Sequence, residues 1–290
     1  MNPGDLNSLM RLVQELCGLA LDADKAYLVE SRLTPLAAKS GCGDLGSLVK
    51  AALLPGNARL REQIVDVMTT HETSFFRDAS PFEALQYKAL PEILDRQAHS
   101  ASGPRLRLWS AACSSGQEVY SLAITVLETL GEASGIDVQI LGTDVSIESV
   151  EQARQGVYTQ MAVDRGLSPE RRALWFERVA DGWRAVEPLR RIVRFEQRNL
   201  LAPFPERDFF HVVFCRNVAI YFSAADRKSL FERLVGTMTP QGLLFVGSSE
   251  NLSDLGPKFL PEIHCRSVFY RPRCDPAGLP TLAAEGTRRL

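Results

Sequence analysis

Nowhere in this 290-residue sequence do 18 apolar residues run together, so no helix able to span a bilayer is expected. The N-terminus shows no basic stretch leading into an apolar one, so no secretory signal is expected either. Metal-ligand spacing is missing too. The six cysteines (Cys17, Cys42, Cys113, Cys215, Cys265, Cys274) form no CxxC pair, and the four histidines (His71, His99, His211, His264) form neither HxxxH nor HExxH. A zinc site, structural or catalytic, is therefore not expected, and without a secretory signal the cysteines read as free thiols. There is no excess of one charge: 33 Lys and Arg stand against 35 Asp and Glu, a net −2. That argues against nucleic acid or an anionic membrane as a partner held by bulk electrostatics.

What is present suffices for a sizeable core: 45% of residues are hydrophobic and 8% aromatic, in a length that suits two domains or one large one. Residues 1–78 read as a helical domain. Leu6, Leu9, Met10, Val13, Leu16, Cys17 and Ala20 fall at three- and four-residue intervals, the stripe of an amphipathic helix. A second helix is expected over 24–39, bent or broken at Pro35. A third is capped by Asp44, and a fourth carries Leu60, Ile64, Val67 and Met68 on one face. Ser80, Pro81 and Glu83 then have the form of N-cap, first helical proline and acidic third position. They open a linker helix to about Gln97, and with the loop at 100–104 this makes residues 79–104 a linker.

From Arg105 the rhythm becomes strand, helix, strand. Strands are expected over 105–111, 138–143, 210–215, 242–247 and 266–271, with helices over 116–130, 146–153 and 223–238. The Phe210–Cys215 run is apolar apart from His211, as in a strand covered on both faces. This is the pattern of a doubly wound α/β sheet over residues 105–274. It is interrupted between about 157 and 199 by what reads as an inserted subdomain: a helix over 168–178, then short strands over 183–186 and 191–195. Residues 275–290, rich in Pro, Ala and Gly, read as a disordered tail.

Ligands of open α/β sheets bind where strands end and helices begin. The first such loop is Ser110–Glu118. It has small residues but a single glycine, and it contains neither GxGxxG nor GxxxxGK[ST], so it suits a closely packed ligand that carries no phosphate. S-adenosylmethionine answers that description. Asp144, at the end of the second strand, has the position and chemistry to accept hydrogen bonds from a ribose diol; the alternative is that it caps the next helix, a task for which Ser146 competes.

Four stretches together resemble the chemotaxis receptor methyltransferase (CheR) family: THETSFFRD (70–78), RLWSAACSSGQEVYSLAI (107–124), GTDVSIESVEQARQGVY (142–158) and VFCRNVAIYF (213–222). QRNLL (197–201) and LFVGSSENL (244–252) are lesser matches. The resemblance implies an N-terminal all-α domain and a Rossmann-like methyltransferase domain with a small inserted β-subdomain. It implies transfer of a methyl group from S-adenosylmethionine to glutamates on the helical cytoplasmic part of chemoreceptors, in the adaptation step of chemosensory signalling, by a cytoplasmic enzyme expected to be a monomer. By motif it nominates His71, Thr73, Arg77, Glu118, Asp144, Asn199, Leu200, Arg216 and Asn217 as cofactor contacts, with Tyr221 and Arg216 at the reacting methyl. The family usually has Asn at the position of His71. The short segment between Phe176 and Trp183 speaks against tethering to a receptor's C-terminal peptide. Residues 1–78 carry 8 Lys and Arg against 10 Asp and Glu, so a basic docking face would have to be local, with Arg32 and Lys39 as candidates.

The residues fit that chemistry. A glutamate acceptor, with a reference pKa of about 4.3, is already an ionised nucleophile at neutral pH, so no general base is needed. None of the usual constellations, Ser with His or His with Asp, is evident. A nucleotide-dependent oxidoreductase sharing the fold would want the glycine fingerprint in its first loop. A silent cofactor-binding adaptor would have no use for Tyr221, Arg216 and Asn217.

Overall fold

A computed structural model describes residues 3–98, 103–131 and 134–273 of the chain. The tail at 275–290 and most of the loop at 100–104 lie outside them.

Four helices come first: α1 (Pro3–Cys17), α2 (Ala26–Lys39), α3 (Leu45–Leu53) and α4 (Ala58–Met68). Their apolar stripes close on one another around Leu9, Val13, Val29, Leu33, Leu48 and Ile64, because a single amphipathic face cannot be buried by one helix alone. Gly18, at φ +81°, ends α1, so Ala20 lies beyond the helix rather than on its stripe. Asp44 caps α3 by accepting from Ser47 N. Pro35 lies inside α2 without interrupting it. Arg32, a candidate for partner docking, instead donates to Met68 O at the end of α4. The stretch Gly41–Gly46 does spell GxGxxG, but it joins two helices and has no strand before it, which the phosphate-binding fingerprint requires.

The linker helix runs from Ser80 to Gln97 in three parts: α5 (Ser80–Ala84), a π-helical turn (Leu85–Ala89) and α6 (Leu90–Gln97). Pro91 opens α6; lacking an N–H, it cannot continue a regular ladder, and the wider turn before it absorbs the defect. Ser80 is not the cap that its sequence suggests: the N-cap position is Ala79, without a side-chain hydrogen bond.

The main sheet has seven strands, built from β1 (Arg105–Ala111), β2 (Asp137–Asp144), β6 (Val193–Gln197), β7 (Phe210–Cys215), β8 (Met238–Val246), β9 (Phe259–His264) and β10 (Ser267–Pro272), in the order β6-β2-β1-β7-β8-β10-β9. The first five in that order are parallel, and β10 and β9 close it antiparallel. Alternate residues serve opposite faces. Leu108, Val212, Phe214 and Phe245 pack with α7 (Gln117–Leu130) and the linker helix, while Trp109, Val213, Cys215 and Leu244 pack with α12 (Ala224–Val235). Strands buried on both sides carry no polar face, which is why β7 reads as one apolar run.

Between α8 (Ile147–Gln155) and β6 lies a small antiparallel sheet, β3-β5-β4, made of β3 (Val157–Tyr158), β4 (Phe176–Val179) and β5 (Gly182–Ala185). The short helices α9 (Gln160–Asp164), α10 (Pro169–Trp175) and α11 (Glu187–Ile192) flank it. Three expectations need correction. The expected strand near 191–195 does not belong to the insertion: β6 pairs parallel with β2, Ile140 opposite Val193, as an edge of the main sheet. The helix expected to reach Arg178 ends at Trp175, because Phe176–Val179 pairs with Gly182–Ala185 across a two-residue turn. Strand β9 was not foreseen; Phe259 alone of its residues is buried, and its exposed Leu260 and Ile263 break the alternation that would betray an edge strand.

Candidate functional site: a cleft at the carboxyl rim of the parallel strands

The C-terminal ends of β1, β2, β6 and β7 and the segment joining the two domains surround one cleft. His71, Thr73, Arg77, Glu118, Asp144, Asn199, Leu200, Arg216, Asn217 and Tyr221 all line it. The backbone there is strained. Of the eight non-glycine residues with positive φ among the described residues, Ala112, Ser114 and Asn217 line the cleft, while Phe76 and Asp78 sit in the segment that borders it. Such conformations cost about 1–3 kcal/mol each and persist where surroundings over-determine them. After β1 the turn is held by Cys113 N donating to Thr143 O at 2.9 Å and by Tyr158 Oη donating to Ser115 O at 2.9 Å. It ends at Gly116, φ +93°, where a Cβ would meet Ala153 Cβ at 2.8 Å.

The segment Thr70–Asp78 is pinned by its two phenylalanines. Phe75 is buried edge-on against Tyr158 and Phe176, and its carbonyl oxygen lies where a Cβ on Gly166 would be, 1.9 Å away. Phe76 lies under Arg171, with its N donating to Ser121 Oγ at 2.9 Å. The polar residues on either side of these anchors, Thr70 to Ser74 and Arg77, therefore face the cleft in fixed order. Arg77 gives one donor to Glu72 O at 2.9 Å, which leaves most of its guanidinium free. His71 is committed differently: Nε2 meets Asp66 O at 3.2 Å and Thr69 Oγ1 at 3.0 Å, and Nδ1 meets Ser149 Oγ at 2.9 Å. A carbonyl cannot donate, so Nε2 carries the proton. The imidazole thus joins the end of α4 to α8, and what it offers a ligand is its ring edge.

Asp144 is buried. Its Oδ2 accepts from Ser114 N at 2.8 Å and its Oδ1 from Ser146 N at 3.0 Å. Burial raises its pKa, while the backbone N–H groups and the His71 ring oppose that. The helix is capped by Ser146, which accepts from Ser149 N. Val145 N–H also bonds the carboxylate, yet its two oxygens offer about four lone-pair sites, so acceptor capacity remains for a ligand hydroxyl. Glu118 accepts from Ser110 Oγ at 2.8 Å and from Arg216 Nη1 at 2.9 Å. Arg216, its side chain 1% exposed, also donates to Asp78 Oδ2 and Arg77 O, both at 2.8 Å. It is a brace between β7, α7 and the polar segment, its two Nη atoms engaged and its Nε buried without a hydrogen-bond partner.

The helical domain supplies the far wall through Cys17 and Leu19, a contribution that sequence reasoning missed because the segment after α1 has no periodicity. Leu16 O accepts from Asn199 Nδ2 at 2.9 Å, Asn199 Oδ1 accepts from Leu201 N at 2.9 Å, and Ala20 N donates to Tyr221 O at 2.8 Å. Each end of the Asn199 amide therefore has one partner, which fixes its orientation and leaves one N–H and one lone pair for a ligand. Tyr221 closes a short 3₁₀ turn (Ala219–Tyr221) and is 42% exposed at the mouth, beside Ile220 at 50%. Arg198, which also lines the cleft, is held by Glu196 and Glu206. Burial lifts the thiols around the cleft: Cys17 to about 11, Cys113 well above the ordinary value. Neither is a nucleophile at neutral pH.

These groups suit a nucleoside with an amino-acid tail: a buried carboxylate with spare lone pairs for a diol, an unpaired guanidinium for a carboxylate, and Glu118 for an ammonium. They do not suit a pyrophosphate, because Ala112 and Ser114 carry Cβ atoms where such a site needs bare backbone. S-adenosylmethionine fits, and when bound it supplies an electrophilic methyl on a sulfonium.

Comparison with known proteins agrees. A family model described as "CheR methyltransferase, SAM binding domain" matches residues 71–266, and one described as "CheR methyltransferase, all-alpha domain" matches residues 4–69. "Chemotaxis protein methyltransferase 1" of Pseudomonas aeruginosa is 42% identical over 265 residues, covering 89% of this chain and 94% of that protein. "Chemotaxis protein methyltransferase" of Vibrio parahaemolyticus is 41% identical over 252 residues, 86% of this chain and 90% of that protein. "Chemotaxis protein methyltransferase Cher2" of Pseudomonas putida is 41% identical over 273 residues, 92% and 97%.

Proposed function

The chain belongs to the CheR methyltransferase family of S-adenosylmethionine-dependent enzymes, and from that premise we propose that it methylates glutamate side chains on the helical cytoplasmic region of chemoreceptors. The products are glutamate methyl esters and S-adenosylhomocysteine. The observation that carries the reading is the asymmetry of the cleft: Asp144 is buried at its floor and Arg77 and Glu118 are half-buried on its walls, whereas Tyr221 stands exposed at the mouth.

On this reading Asp144 takes the ribose hydroxyls, Arg77 the cofactor carboxylate and Glu118 its ammonium. Thr73 and the ring edge of His71 close the same side, and the backbone at Asn199 and Leu200 walls the adenine with Asn217 opposite. Tyr221 Oη donates to the incoming glutamate carboxylate and orients one oxygen at the methyl. No side chain has to move a proton, because the acceptor is ionised before it arrives. The protein contributes alignment and exclusion of water, effects that supply about 7–11 kcal/mol in well-oriented reactions. Arg216 works through others, fixing Glu118 and the Arg77–Asp78 backbone.

A receptor's cytoplasmic helices imply a cytoplasmic enzyme, and no helix among the described residues is long and apolar enough to cross a membrane. The tight β4–β5 turn gives a receptor's C-terminal peptide no long loop to grasp, which favours an untethered monomer. The test is methyl-labelled S-adenosylmethionine with a receptor cytoplasmic fragment. Label released by base as methanol is expected; label stable to base, or none transferred, would contradict the acceptor.

A further inference from the structure

The stretch LFVGSSENL (244–252) has no part in the mechanism above, yet one of its residues reaches the cleft's frame. Strand β8 ends at Val246, opposite Cys215 of β7, so the turns that follow the two strands run side by side. Glu250, 8% exposed, folds back across that gap. Its Oε2 alone accepts two backbone donors: Gly247 N at 2.6 Å and Asn217 N at 2.7 Å. Its Oε1 is buried without a hydrogen-bond partner.

The side chain is thus aimed wholly at two amide groups, and Asn217 is the strained one of the pair, at φ +57°. No Cβ fits at Gly247: one would lie 2.6 Å from Glu250 Oε2, 2.8 Å from Asn217 Nδ2 and 3.0 Å from Asn217 N. Glycine there is what lets carboxylate and Asn217 approach. Downstream of Asn217 come only Val218 and the short turn that ends at Tyr221, with Tyr221 N donating to Val218 O at 3.1 Å. The dihedral angles at Asn217 therefore set where the Tyr221 hydroxyl stands.

We propose that Glu250 is a positioning residue for methyl transfer, clamping Asn217 in its left-handed conformation so that Asn217 meets the cofactor and Tyr221 meets the acceptor. This rests on the receptor-methylation reading for its rate measurement, but not for its binding measurement. The clamp needs an oxygen that accepts twice, not a charge. Glu250→Gln keeps that oxygen, whereas Glu250→Ala removes it and Gly247→Ala displaces it at unchanged charge.

The experiment compares these three variants with the wild type at a temperature well below each one's melting point. It measures kcat and KM for receptor-fragment esterification and the calorimetric Kd for S-adenosylhomocysteine. For Glu250→Ala and Gly247→Ala, kcat is expected to fall about 20-fold and the S-adenosylhomocysteine Kd to rise about 5-fold, while Glu250→Gln stays within about 3-fold on both. Glu250→Ala within twofold of wild type on both would overturn the clamp, even if its melting point fell. So would Glu250→Gln as impaired as Glu250→Ala. A wild type that binds S-adenosylhomocysteine but esterifies nothing would reject the acceptor instead, and the Kd ratios would still decide the clamp.

Discussion

The two ends of strands β1 and β7 are built from the same pair of neighbours and behave oppositely. At the carboxyl end the chain leaves the sheet through positive-φ residues, Ala112, Ser114 and Asn217, and its polar groups keep unused capacity toward a cleft. At the amino end the polar groups close on one another. Arg107 N donates to His211 Nδ1 at 3.0 Å, Gln97 Nε2 lies 2.8 Å from His211 Nε2, Arg105 N donates to Gln97 Oε1 at 2.6 Å, and the Arg107 guanidinium pairs with Asp137. Spare hydrogen-bonding capacity thus gathers at one rim, where a ligand can use it, whereas at the other, which has a positive-φ residue of its own in Asp208, the polar groups satisfy one another and only stability is at stake.

That contrast can be broken or sharpened. The largest effect is expected at the brace. Arg216→Ala removes a buried guanidinium and leaves half-buried Glu118 without its ion-pair partner, and should lower unfolding free energy by about 3–5 kcal/mol in urea melts. A loss below about 1 kcal/mol would show that the brace is incidental. Next comes Tyr221→Phe, which removes one hydroxyl from the open mouth. Its kcat/KM for a receptor fragment should fall about 10-fold, with S-adenosylhomocysteine affinity and melting point unchanged. A matching fall in affinity would move Tyr221 to the cofactor. The smallest effect belongs to the amino end. Burial, then the Arg107 charge, lowers the His211 pKa from 6.5 to about 4. Between those values the unfolded chain binds the proton and the folded chain does not, so stability is lost as pH falls from about 6.5 toward 4. A His211→Leu variant should show a flatter stability profile across that window, with no change in methyl transfer at neutral pH. An unflattened profile would mean that the ring takes its proton normally.

Periodicity made the helical domain and the central strands legible, because a stripe at three and four residues and a two-faced apolar run each leave a pattern in the chain. The caps at Asp44 and Ser146 followed from local chemistry. Strand β9 and the placement of β6 did not, since edge strands are half-exposed and their partners lie far away in sequence. The cleft's residues were nominated by resemblance, and the structure gathers them on one rim, yet their partners were hidden. Nothing in the sequence tells that Arg216 reaches Asp78 and Glu118, that Leu16 holds Asn199, or that Glu250 reaches Asn217. Each is a contact between distant segments, visible only when the sheet has brought the strand ends together.

The central claim is that a phosphate-free sulfonium nucleoside lies on the strained rim with its ribose at Asp144. Titration calorimetry with S-adenosylhomocysteine tests it most directly. One saturable site is expected on the wild type, weakened about 10- to 100-fold by Asp144→Ala. A folded wild type that takes up no heat at any accessible concentration, or an Asp144→Ala variant that binds as tightly as wild type, would contradict it.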